Sequence, residues 1–168
     1  MTAARQQRKS PRAFALRLAL GIAFLAVIFA SPAILAASSD RIVVDADSGL
    51  ALSGFDPVAY FTDRKPKIGR PNLELRRDDT VWRFQNEGNR AAFAAHPEVY
   101  TPRFGGYDPV AVARGASVPG HPLFWSVTSE RLYLFYSAET RASFLAEPGN
   151  ILEAAERKWP EVARTIER

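Results

Sequence analysis

Few side chains in this sequence have the chemistry to hold a ligand. His96 and His121 are the only two histidines, and each precedes a proline. Their imidazoles, with the carboxylates of Asp56 and Asp108, offer a mixed nitrogen–oxygen donor set suited to a divalent transition metal. The histidines lack the close spacing of a local ligand pair, so the fold would have to assemble such a site. A simpler reading places His96 at a helix end, where the dipole favours a cation, and His121 in a loop, with both aspartates bracing their own turns. Tyr60, Tyr107 and Tyr136 stand beside the same acids, and buried phenols need hydrogen-bond partners. Asp56, Tyr60, Tyr107, Asp108 and Tyr136 therefore either line a small polar-tipped pocket or brace the core, and bracing is the commoner use of buried tyrosine–acid pairs.

Catalytic chemistry finds less support. Ser53 precedes Gly54, but no glycine stands before it at nucleophile-elbow spacing. Ser137 reads as a helix cap, and no base is placed in sequence to activate either serine. Gly105-Gly106, Gly115 and Gly120 have the wrong spacing for a phosphate loop, and no lysine follows them. The chain has no cysteine, which removes thiolate metal sites, iron–sulfur ligation and thiol nucleophiles. The expectation is a protein that is not an enzyme.

The elements that must position these residues come in two similar sets. At an offset of 51, Phe84, Arg90, Ala91, Phe93, Ala95 and Pro97 recur as Phe135, Arg141, Ala142, Phe144, Ala146 and Pro148. Ordinary composition gives about one such identity over that stretch. At an offset of 52, Phe55-Asp56-Pro57-Val58-Ala59 lies over Tyr107-Asp108-Pro109-Val110-Ala111. Each unit reads as an aromatic-Asp-Pro turn, a strand (Val58 to Phe61, Val110 to Ala113), a loop, an aromatic strand, a capped helix and a proline stop. Trp82 and Phe84 share one strand face with Arg83 on the other. Phe124 to Thr128 and Arg131 to Tyr136 form a hairpin joined near Ser129-Glu130. Asn86 and Ser137 are caps, and Pro97 and Pro148 are stops. A last helix runs from Asn150 to Lys158, with Pro160 interrupting. The fold class is α+β: one small domain of two repeated β-β-α units sharing one core, with Asp56 and Asp108 brought near each other.

The first 17 residues hold five basic side chains and no acid, and an apolar run follows from Leu18 to Ala37. That is the pattern of an export signal. Cutting after Ala33 or after Ser38 would satisfy the small-residue positions. A nearly continuous apolar run of 20 residues also suffices to span a bilayer, so residues 18–37 read either as a cleaved signal, favoured by Pro32 and its small neighbours, or as an inner-membrane anchor. Residues 38–48 read as a linker and 49–168 as the domain, in the periplasm or otherwise outside the cytoplasm. The chain carries 22 basic and 18 acidic residues. With the five leader cations set aside, 17 remain against 18, a net charge of −1. No basic stripe is left to hold a nucleic acid. Contact with a membrane is expected only through the N-terminal segment.

Several segments together resemble the YHS domain family: Ser53-Gly54-Phe55-Asp56-Pro57-Val58-Ala59-Tyr60-Phe61, Trp82-Arg83-Phe84, Gly105-Gly106-Tyr107, and Tyr136-Ser137 with Phe144 seven residues on. Trp159-Pro160 also fits exported bacterial members. The resemblance spans about residues 49–160. It implies a small α+β domain in the bacterial envelope, and a link to metal handling in some relatives. Many members place a cysteine directly after Gly-Gly-Tyr. Here that residue is Asp108, a hard oxygen donor instead of a soft sulfur one.

The sequence thus points to a non-catalytic envelope module that binds a small ligand or an envelope protein, without a cofactor. The alternatives are a metal-handling accessory protein using histidine and aspartate, and an enzyme of unknown class.

Overall fold

The structure, a computed structural model, describes residues 42–166. The leader reading of residues 1–37 lies outside the described residues. Among those described, no helix is long and apolar enough to cross a membrane.

The protein is a small α+β domain in which one order of elements occurs twice. The first half has a tight turn at Leu52–Gly54, α1 (Ala59–Thr62), β1 (Arg70–Arg77), β2 (Thr80–Phe84), α2 (Glu87–Ala95) and α3 (Pro97–Tyr100). The second has a tight turn at Arg103–Gly106, α4 (Pro109–Ala113), β3 (His121–Thr128), β4 (Arg131–Phe135), α5 (Ala138–Ala146) and α6 (Pro148–Ile166). The strands form two separate antiparallel hairpins, β1 with β2 and β3 with β4. Each hairpin turns through two residues of positive φ, Asp78-Asp79 and Ser129-Glu130, the backbone whose twist matches its strands. Each also breaks register near its open end, between Arg70 and Glu74 and between His121 and Trp125.

Two readings of elements are corrected. Val58 to Phe61 and Val110 to Ala113 are helical, not strands: α1 and α4. The aspartate before each proline is the cause. Asp56 Oδ1 accepts from the amides of Val58 (2.8 Å) and Ala59 (3.3 Å), and Asp108 Oδ1 from those of Val110 (2.8 Å) and Ala111 (3.4 Å). A carboxylate on the first free amides, with proline beside it, starts a helix and overrides the strand preference of valine. Pro97 and Pro148 do stand where α2 and α5 stop, at Ala95 and Ala146, and each also opens the next helix, α3 and α6. The last helix does not end at Lys158 but runs through Pro160 to Ile166. Pro160 lies on the exposed side, while Ala155, Trp159 and Val162 are buried on both sides of it. The carbonyl freed by the missing N–H therefore faces water.

The expected caps form. Asn86 accepts from the Asn89 amide at 2.8 Å, and Ser137 and Thr140 make a reciprocal capping box. Of the stretch read as a linker, residues 42–48 are bonded onto the domain. The Val43 amide donates to the Gly105 carbonyl at 2.8 Å, the Asp45 amide donates to Leu50, and Val44 pairs with Ala51.

The expected single core is instead two clusters that meet along β4. Phe93 of α2 lies against Trp82 and Phe84 in the first, at 4.7 and 5.4 Å between ring centres. Phe144 of α5 lies against Tyr133 and Phe135 in the second, at 5.2 and 5.1 Å. Leu132 and Leu134 belong to the first cluster, Tyr133 and Phe135 to the second. Successive side chains of a strand point to opposite faces, so β4 is a wall buried on both sides.

Candidate functional site

Asp56 and Asp108 are fully buried, and their oxygens are occupied. Besides its two helix amides, Asp56 accepts at Oδ2 from the Gln85 amide (2.8 Å) and the Asn89 side chain (2.6 Å). Asp108 Oδ2 accepts from the Tyr136 amide at 2.8 Å. Each carboxylate thus ties the start of a short helix to the end of a hairpin strand, and a cation at either would compete with these N–H donors. Their geometry is that of turn braces.

Tyr60 is completely buried. Its hydroxyl crosses to the second half, donating to the Pro122 carbonyl at 3.0 Å, and its ring meets Trp125 edge-on at 5.3 Å. Burial first, and the Asp56 charge second, push that hydroxyl well above its ordinary pKa. Tyr107 is half-buried, 6.1 Å from Trp159. Tyr136 is 62 % exposed and reaches Asp108 only through its backbone.

His96 closes α2 with its side chain in solvent and its Nδ1 3.5 Å from Glu98. His121 opens β3, its ring 5.6 Å from that of Phe124 and its Nδ1 accepting from the Leu123 amide at 3.2 Å. Among the described residues, no group of three or more His, Asp or Glu side chains is placed to hold a metal ion.

The concavity lies elsewhere. An open cavity of about 170 Å³ is walled by Leu52 and Ser53 from the first tight turn, Gly105 and Gly106 from the second, and His121 and Leu134 from the second hairpin. None of Asp56, Tyr60, Tyr107, Asp108 or Tyr136 lines it, so these five do not make this cavity. Val43 and Val44 close one side. Among the described residues of the lining, Asp45 is the one carboxylate, and no lysine or arginine contributes. The Ser48 side chain and amide, at 2.7 and 2.8 Å, hold the Asp45 carboxyl below its usual pKa.

Both turns adopt left-handed backbone. φ is +49°, +48° and +79° at Leu52, Ser53 and Gly54, and +53°, +61° and +89° at Phe104, Gly105 and Gly106. The geometry lets a second backbone run close by. The Gly69 amide donates to the Gly54 carbonyl (2.8 Å) and the Gly120 amide to that of Gly106 (2.9 Å). The repeat Leu-Ser-Gly-Phe-Asp-Pro over Phe-Gly-Gly-Tyr-Asp-Pro was the available signal for these walls, three residues upstream of the matched segment.

Compared with family models, curated proteins and solved structures, the chain matches none.

Proposed function

We propose that this chain is a non-catalytic, YHS-like binding module of the bacterial envelope, exported or tethered by residues 18–37, whose cavity between the two tight turns takes one small uncharged group. The observation that carries this reading is the shared wall: both halves contribute their left-handed turn to one opening. We take the doubled order of elements as duplication of one ancestral unit, and the cavity as the place where the copies differ enough to be useful.

The dimensions narrow the occupant. Cavities of about 150 Å³ hold a benzene-sized molecule, and drug-sized ligands need about 300 Å³ or more. The occupant is a single-ring molecule or one side chain of an envelope protein. Among the described residues the lining has no lysine or arginine, and Asp45 disfavours anions nearby, so phosphates and free carboxylates are poor candidates. Catalysis has little to work with. With Nδ1 accepting from an amide, the neutral His121 ring carries its proton on Nε2 and offers a donor where a serine nucleophile needs a base.

The test is an amide NMR titration of the envelope-purified chain with single-ring neutral fragments. Binding should shift Ser53, Gly105, Gly106 and Gly120 together. Shifts scattered elsewhere, or none, would sink the reading. Elemental analysis of the same sample addresses the metal-handling alternative. Stoichiometric transition metal would favour it and send the search to His96 and His121.

A further inference from the structure

The two turns meet the cavity with the same backbone but not the same residue. Leu52-Ser53-Gly54 lies over Phe104-Gly105-Gly106 at an offset of 52. The third position is glycine in both and the first is a large apolar residue in both. At the second, Gly105 takes φ = +61° freely, whereas Ser53 holds +48° with a Cβ crowding the backbone.

The fold does not require a serine there. Ser53 is exposed, its hydroxyl makes no hydrogen bond among the described residues, and glycine does the same structural work in the other half. A strained residue persists where its surroundings or its task hold it, and the surroundings here include a cavity that Ser53 helps to line. His121 lines the same cavity, and its neutral ring presents an Nε2–H because the Leu123 amide occupies Nδ1. Two residues with side-chain donors thus line the opening, and among the described residues no lysine or arginine lines it with them.

We propose that Ser53 is the recognising residue of this cavity: its hydroxyl, with the Nε2–H of His121 as second donor, binds an acceptor atom on a neutral single-ring ligand. This rests on the binding-module reading and names the ligand class: a ring of about benzene size carrying a carbonyl or similar uncharged acceptor. Serine at this position exchanges backbone strain for a donor that glycine cannot supply.

Benzamide and benzene, titrated separately into the ¹⁵N-labelled envelope-purified chain, test the assignment. Benzamide has the ring and the acceptor; benzene has the ring alone. Benzamide should shift the amides of Gly105, Gly106 and Gly120 with millimolar affinity, about tenfold tighter than benzene, as expected for one net hydrogen bond. Ser53→Ala keeps the backbone strain and should remove most of benzamide's advantage over benzene, the remainder coming from His121, with its unfolding midpoint unchanged. Ser53→Gly should lose the same affinity while its midpoint rises by about 3 °C, because the strain is relieved. If benzamide and benzene bind equally at these glycines and Ser53→Ala changes nothing, the role of Ser53 is overturned and the cavity reading survives. If neither probe shifts these glycines, both fall.

Discussion

The side-chain amide of Asn89 donates to Asp56 Oδ2 at 2.6 Å across 33 residues of sequence, and its counterpart in the second half does not reach Asp108. That counterpart is Thr140, whose hydroxyl is engaged with Ser137 in the capping box. The two buried carboxylates therefore hold equivalent places with unequal support, four donors at Asp56 and three at Asp108.

Truncation should expose that inequality. Asp56→Ala leaves buried donors on Val58, Gln85 and Asn89 without an acceptor, at a cost of about 3–5 kcal/mol. Asp108→Ala should cost about 1 kcal/mol less. Urea unfolding with unchanged m-values would show both as shifted midpoints. An equal or inverted order would mean that the Asn89 bond contributes nothing.

Tyr60 makes the domain sensitive to alkali. Its folded pKa is raised, so the folded state retains the phenolic proton that the unfolded chain gives up near pH 10. The stability it contributes is complete below that pH and is lost as pH rises through the folded value. Unfolding midpoints should fall above about pH 10. Tyr60→Phe should lose about 1 kcal/mol at neutral pH, from the bond to Pro122, and show a shallower alkaline decline. An identical decline in the variant would assign the effect to other groups.

Close backbone approach separates the glycines. A Cβ on Gly69 would sit 2.5 Å from Arg83 backbone, and one on Gly120 would sit 2.6 Å from Leu134 Cβ and 2.8 Å from the Gly106 carbonyl. Gly149, near the start of α6, has nothing within 4 Å. Alanine at 69 or 120 should cost about 3 kcal/mol or more, and alanine at 149 should add about 0.5–1 kcal/mol. Thermal melts of the three variants check the contrast, and a tolerated Gly120→Ala would contradict the tight crossing between the second turn and β3.

The mature mass distinguishes the two leader readings. Loss of residues 1–33 or 1–38 is the expected outcome of export with cleavage. An intact mass in the membrane fraction would instead mark residues 18–37 as an anchor.

The α+β class, the second hairpin with its turn at Ser129-Glu130, and the caps at Asn86 and Ser137 were legible because local chemistry decides them; the first hairpin, turning at Asp78-Asp79, was not legible as one. Nor were the short helices. In Asp-Pro-Val-Ala the valines suggest strand, and only the capping carboxylate tells otherwise. The cavity was harder still. Ser53 and Gly105-Gly106 fit neither a nucleophile nor a phosphate pattern, since their contribution is left-handed backbone, which a side-chain motif does not report. The tyrosines and aspartates are the residues with evident side-chain chemistry. Asp56, Asp108 and Tyr60 spend it inside the fold.

β4 serves both clusters, with Leu132 and Leu134 on one side and Tyr133 and Phe135 on the other. Neither half should therefore fold on its own despite the repeated order of elements. A fragment ending at Tyr100 would lack the two leucines that complete its cluster. A fragment starting at Arg103 would expose them to water, on a strand edge open to aggregation. The shared strand couples the two halves, so heating should produce one calorimetric transition instead of two, with van't Hoff and calorimetric enthalpies in agreement.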